Sequence, residues 1–129
     1  MNTNKLLLSF LLVGAFSAPY SQSKNDYKFA KGLMEVGYLD LAKEVFTKIK
    51  SDSSLSKEDR AKGELGLIFI LKADAEKEPD PDKQQKAFDT ASEGLENFIK
   101  NNKALPEAKD AEFDLGILLQ TKGKNFTRQ

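Results

Sequence analysis

Apolar positions recur at intervals of three and four through residues 24–123, interrupted by glycine, proline or short polar runs. That pattern predicts an all-α chain of about five helices. In the first block Ala30 and Leu33 share a face, Asn25 or Asp26 can cap the start, and Gly37 suits the left-handed turn past a helix end. In the second, Leu39, Ala42, Phe46 and Ile49 form one stripe, Asp40, Lys43, Lys48 and Lys50 fall toward water, and the polar run at 51–54 ends the element. Ser56 with Asp59 three residues on resembles a capping box and opens the third helix. Its centre at 65–71, LGLIFIL, is apolar all round and taken alone fits a buried strand. The unbroken flanks decide for a helix, which must then be covered on both sides. The acidic, proline-broken EPDPD at 78–82 ends it, with Asp80 placed to cap and Pro81 suited to the first helical position. Phe88, Ala91, Leu95, Phe98 and Ile99 follow at the 3.6-residue period, and Asn101 and Asn102 close that helix. The fifth starts at Pro106, points Ala108, Ala111, Leu115, Leu118 and Leu119 inward, and is expected to close at Gly123.

The first residues follow a different rule. Lys5 and the amino terminus precede an apolar run at 6–16, and Ala15 and Ser17 supply small residues, which reads as a signal peptide spanning 1–17. A cut within the 21–23 run is the alternative site. The apolar run is shorter than the roughly 20 residues a membrane-crossing helix needs, so no stable membrane insertion is expected after cleavage. The organisation expected is therefore a leader (1–17), a flexible entry (18–23), helical repeats (24–123, in units 24–50, 56–101 and an incomplete 106–123), and a tail (124–129).

Composition narrows the function more than it names it. The chain of 129 residues carries 20 basic and 20 acidic side chains, and removing the leader with its one Lys leaves a net of −1. Such a balance lacks the clustered positive charge that nucleic acid or an anionic membrane surface would require. The chain holds no His and no Cys, which removes the commonest general base, the thiol nucleophile and the usual transition-metal ligands. No enzyme activity, metal or cofactor is expected. The acids at Asp74, Glu76, Glu78, Asp80 and Asp82 lack the glycine and distal Glu of a calcium loop, and they read as a solvated hairpin tip. Asn125-Phe126-Thr127 is a glycosylation triplet that matters only in a eukaryotic secretory route.

The blocks also match one another. Phe29-Ala30 with Leu33 aligns with Leu65-Gly66 and Phe69, and again with Leu115-Gly116 and Leu119; Gly37, Ala73 and Gly123 stand seven residues after the small position of each. On the following helix Ala42, Phe46 and Ile49 match Ala91, Leu95 and Phe98 at equal spacing. A small residue after a large one on the first helix, Gly at the turn, then Ala, an aromatic and another apolar residue on the second resembles the tetratricopeptide repeat, and the first pair fits that pattern well. The second hairpin is 13 residues longer than the first, with EPDPD at its tip. The stretch LPEAKDAEFDLG at 105–116 is similar to repeat starts in envelope proteins of Gram-negative bacteria. The resemblance implies antiparallel helix pairs stacked as an α-solenoid, with the first helix of each pair lining a concave face. That face would present Tyr27, Lys31, Met34, Leu67, Ile70, Phe113 and Ile117 to a bound protein segment. For Leu67 and Ile70 the all-round apolar helix favours burial between neighbouring hairpins.

The function expected is that of an exported, periplasmic or extracellular module that scaffolds or docks other proteins. The alternatives are a structural N-terminal spacer of a longer repeat protein and a small-ligand-binding helical domain. Phe113, Ile117, Leu118 and Leu119 spread around more than one face of the last helix, so a partner or further repeats are expected to cover it.

Overall fold

The computed structural model describes the backbone of residues 19–126 and the side chains of 25–123, and the expected leader lies outside the described residues. Five helices follow in order: α1 (Pro19–Glu35), α2 (Leu39–Ser51), α3 (Lys57–Lys77), α4 (Pro81–Asn101) and α5 (Glu107–Phe126). The all-α architecture is as the hydrophobic pattern predicts. Each helix packs on the next in the chain, and α1 also reaches α3, so the pairs α1–α2 and α3–α4 stack with α5 added at the end.

The turns explain how the chain reverses. At the end of α1 the Tyr38 N–H donates to the Leu33 carbonyl (2.8 Å) and the Gly37 N–H to that of Met34 (3.0 Å), with Gly37 at φ +88°. These are the paired bonds of a Schellman motif, in which glycine takes the left-handed position without a Cβ penalty. At α3 the Ser56 hydroxyl accepts from the Asp59 N–H and donates to the Asp59 carboxylate, both at 3.0 Å. Asp80 caps α4 by accepting from the N–H groups of Asp82 (3.0 Å) and Lys83 (3.1 Å), with Pro81 first in the helix. The Gln84 amide donates back to the carbonyls of Ala75 (3.1 Å) and Glu78 (3.3 Å), which locks the EPDPD tip as a built turn.

Two expected boundaries move, and two aligned small positions make no turn. α1 begins at Pro19, so residues 19–23 are helical rather than a flexible entry. Polar residues without apolar periodicity gave no signal of that extension, yet a helix needs only compatible backbone and a packed portion elsewhere. α5 runs through Gly123 to Phe126, and Ala73 lies inside α3, so among the three aligned small positions only Gly37 makes a turn.

Two hydrophobic cores flank α3. Tyr27, Ala30, Ala42, Phe46, Ile49 and Ile70 form the first, between the α1–α2 pair and α3. Leu65, Ile68, Phe88, Ala91, Leu95, Phe98, Ala111 and Leu118 are prominent in the second, between α3, α4 and α5. This is why the centre of α3 is apolar all round: each side chain in LGLIFIL has a neighbour to meet, apart from the half-exposed Leu71. The α2–α3 approach is closest at two glycines. A Cβ on Gly63 would lie 2.6 Å from the Lys50 backbone nitrogen, and one on Gly66 would enter the Phe46 ring. On α5, Ala108, Ala111 and Leu118 are buried as expected, whereas Leu119 is half exposed instead of facing inward.

Candidate functional site: the groove between the first, third and fifth helices

Because α1, α3 and α5 are the first members of successive pairs, they lie side by side, and they enclose an open groove of about 480 Å³. Its apolar surface comes from Met34 on α1, Phe69 and Ala73 on α3, and Phe113 on α5. Its polar lining is Lys31 and Glu35 on α1, Lys72 and Glu76 on α3, and Asp110 and Asp114 on α5. Within each helix these residues recur at three- and four-residue steps, so each helix offers one face. Acids outnumber lysines in the lining. Lys72 pairs with Asp114 at 2.8 Å across α3 and α5, which fixes the wall and removes one cation from the groove's free charge.

Of the residues expected on the concave face, Lys31, Met34 and Phe113 line the groove. Tyr27 is 8% exposed, at the edge of the first core; its ring meets that of Phe46 at 5.8 Å, and the Lys31 ammonium stands 5.9 Å from its centroid. Leu67 and Ile70 do not line it. Both pack into the first core against the α1–α2 pair, which is the burial an all-round apolar helix favours. Ile117 lies one turn beyond Phe113 and is 40% exposed, but it is not part of the lining.

The repeat register missed Glu35, Phe69, Lys72, Ala73, Glu76, Asp110 and Asp114. On α3 the groove residues Phe69, Lys72 and Ala73 correspond to Lys31, Met34 and Glu35, two positions later than the aligned motif would place them. Two residues are about 200° around a helix, enough to exchange a core face for a groove face. The signal that was present is the alternation on α3 of Lys72 and Glu76 with Phe69 and Ala73 at helical spacing, beside the purely apolar face of Leu67 and Ile70.

No protein-family model matches this sequence, and neither a curated protein nor a solved structure matches it. The architecture therefore stands on the helices and their packing.

The acids of α5 also act on Tyr27, which stands one helical turn before the groove residue Lys31. Burial pushes the Tyr27 hydroxyl well above the usual phenol range, and the carboxylates of Glu107, Asp110 and Asp114 add to the effect in that order. Those three acids lie at successive turns of α5, and from that one helix all three act on the Tyr27 hydroxyl. Lys62 on α3 sits 3.2 Å from Asp59 and 3.7 Å from Glu107, one cation shared between two carboxylates. Among the described residues no cluster of three or more acids could hold a metal ion, and no helix is long and apolar enough to cross a membrane.

Proposed function

We propose that this chain is an exported helical-repeat module of the cell envelope, similar to tetratricopeptide-repeat proteins, that holds a segment of another protein between α1, α3 and α5. The observation that carries the reading is the groove itself: an apolar floor of Met34, Phe69 and Phe113 with charged side chains along its walls. Concave, apolar surfaces with a few placed polar groups suit a bound side chain, and three parallel helix faces suit an extended or helical segment. The excess of Glu35, Glu76, Asp110 and Asp114 over Lys31 and Lys72 favours a partner of basic character. Export rests on the leader pattern at 1–17, and a non-catalytic role on a chain with no His or Cys.

A second reading, a spacer covered by further helical repeats, is supported by the exposure of Phe113, Ile117 and Leu119 on α5. Immobilised mature protein and its Phe113→Asp variant, passed through an envelope extract, separate the two. A docking module retains defined proteins that the variant loses, a spacer retains none, and capture unaffected by the substitution contradicts the groove.

A further inference from the structure

We propose that the exposed face of α5 is taken by α5 of a second copy of this chain, the two helices running antiparallel with Ile117 on the two-fold axis. This goes beyond the groove reading and does not rest on it. Asp110, Phe113, Ile117 and Gln120 are exposed, and their steps of three and four residues continue to Lys124. Such spacing is the seam along which two helices interlock. Its centre is apolar. Phe113 borders the groove but is 71% exposed, so most of its ring is left open, and Ile117, 40% exposed, stands one turn further outside the groove. Ala111 and Leu118 hold the opposite side of the helix in the core.

The order of charge along the helix selects a second copy and its direction. From Glu107 to Asp114 there are four acids and one lysine, and from Leu115 to Phe126 there are two lysines and no acid. Acids first and lysines last also suit the helix dipole. The seam adds a register that the dipole does not require. Asp110 precedes Ile117 by seven residues and Lys124 follows it by seven, so antiparallel pairing about Ile117 sets each Asp110 opposite the Lys124 position of the other copy, twice by symmetry. A parallel pair would set like charge against like at both ends. Glu107 and Asp114 have lysine neighbours within the chain, whereas Asp110 forms no ion pair among the described residues. At the centre Ile117 meets Ile117 with Phe113 beside it, and their removal from water favours the pair. One helix face from each copy is at the low end of specific interfaces, so the dimer is weak, and its charged ends make it salt-sensitive.

A chain without cysteine makes the register directly readable. Ile117→Cys brings one thiol from each copy to the axis and should give a covalent dimer under mild oxidation, whereas Leu41→Cys, on the half-exposed outer side of α2, should not. Sedimentation of the mature chain from about 10 µM to about 1 mM should show a monomer–dimer equilibrium. Asp110→Lys should weaken that dimer at least tenfold, and Asp110→Lys combined with Lys124→Asp should restore it. A chain that stays monomeric throughout overturns the proposal and leaves α5 to another partner or to further repeats. A dimer that ignores Asp110→Lys, that the double exchange fails to restore, or that links through Leu41→Cys as readily as through Ile117→Cys overturns it as well. Lys31, Met34 and Phe69 are unchanged in every variant, so none of these failures touches the groove reading.

Discussion

Gly66 of α3 lies directly against the ring of Phe46 on α2: a Cβ added to the glycine would stand 2.2 Å from the nearest ring carbon. Phe46 is fully buried, so its ring has no free space into which to retreat. Gly66→Ala gains up to about 1 kcal/mol of helix propensity and loses about 1–3 kcal/mol to overpacking. The net expectation is a lower melting temperature. Gly116→Ala, on α5 with nothing within 4 Å of the added carbon, is the control and should raise it. Thermal unfolding of both variants checks the pair of signs.

The caps make a second prediction. Ser56 satisfies an orphan N–H of α3, and Asp80 satisfies two of α4. Ser56→Ala and Asp80→Ala should each cost about 1 kcal/mol in urea unfolding. The Ser56 loss also frees Asp59, which is 5% exposed and then relies on Lys62 alone. Ser56→Ala combined with Lys62→Ala should therefore exceed the sum of the single effects.

Acid should weaken a contact between α4 and α5. The Lys122 ammonium beside Asp89 holds that carboxyl below the usual carboxylate range, with a smaller contribution from the Gln85 amide. A folded value below the unfolded one, about 3.9, means stability present above that pH and lost as pH falls through the folded value. Asp89→Asn should melt below the wild type at neutral pH, and the gap should close in acid. A gap that persists at pH about 2 would show that the contact is not this ion pair.

Tyr27 gives the opposite sign at the alkaline end. Its folded value is raised, so its contribution is fully present below the unfolded value of about 10 and is lost as pH rises beyond it. The wild type should lose stability above that pH, and Tyr27→Phe should lose less. At neutral pH the substitution also removes an unpartnered buried hydroxyl, so it should leave stability unchanged or raise it by about 1 kcal/mol. Melting curves across the alkaline range read both effects.

Much of this fold is legible in sequence, and the reason is local. Ser56 with Asp59, Asp80 with Pro81, and Gly37 are turn and cap residues whose roles depend on near neighbours. The stripe of Phe88, Ala91, Leu95 and Phe98 is equally local, because one face of α4 is buried and the other is not. The groove depends on how α3 is rotated, which no local pattern records. Phe69 and Ile70 are adjacent apolar residues, yet one lines the groove and the other fills the first core. Gly63 and Gly66 settle that rotation by turning toward α2, and the motif alignment could not weigh their contact with Phe46. α5 is the converse case: its mixed apolar faces were visible, and Phe113, Ile117 and Leu119 are indeed left exposed.

Met34 offers the most direct view of whether the groove is where a partner sits. The chain has two methionines, Met1 and Met34, and Met34 lies on the groove floor. With the Met34 methyl and the Leu41 methyls labelled for NMR, adding the protein captured from an envelope extract should shift Met34 and leave Leu41, half exposed on α2, in place. Shifts at Leu41 with an unmoved Met34 would contradict the account and put the docking surface on the outer face of the first pair.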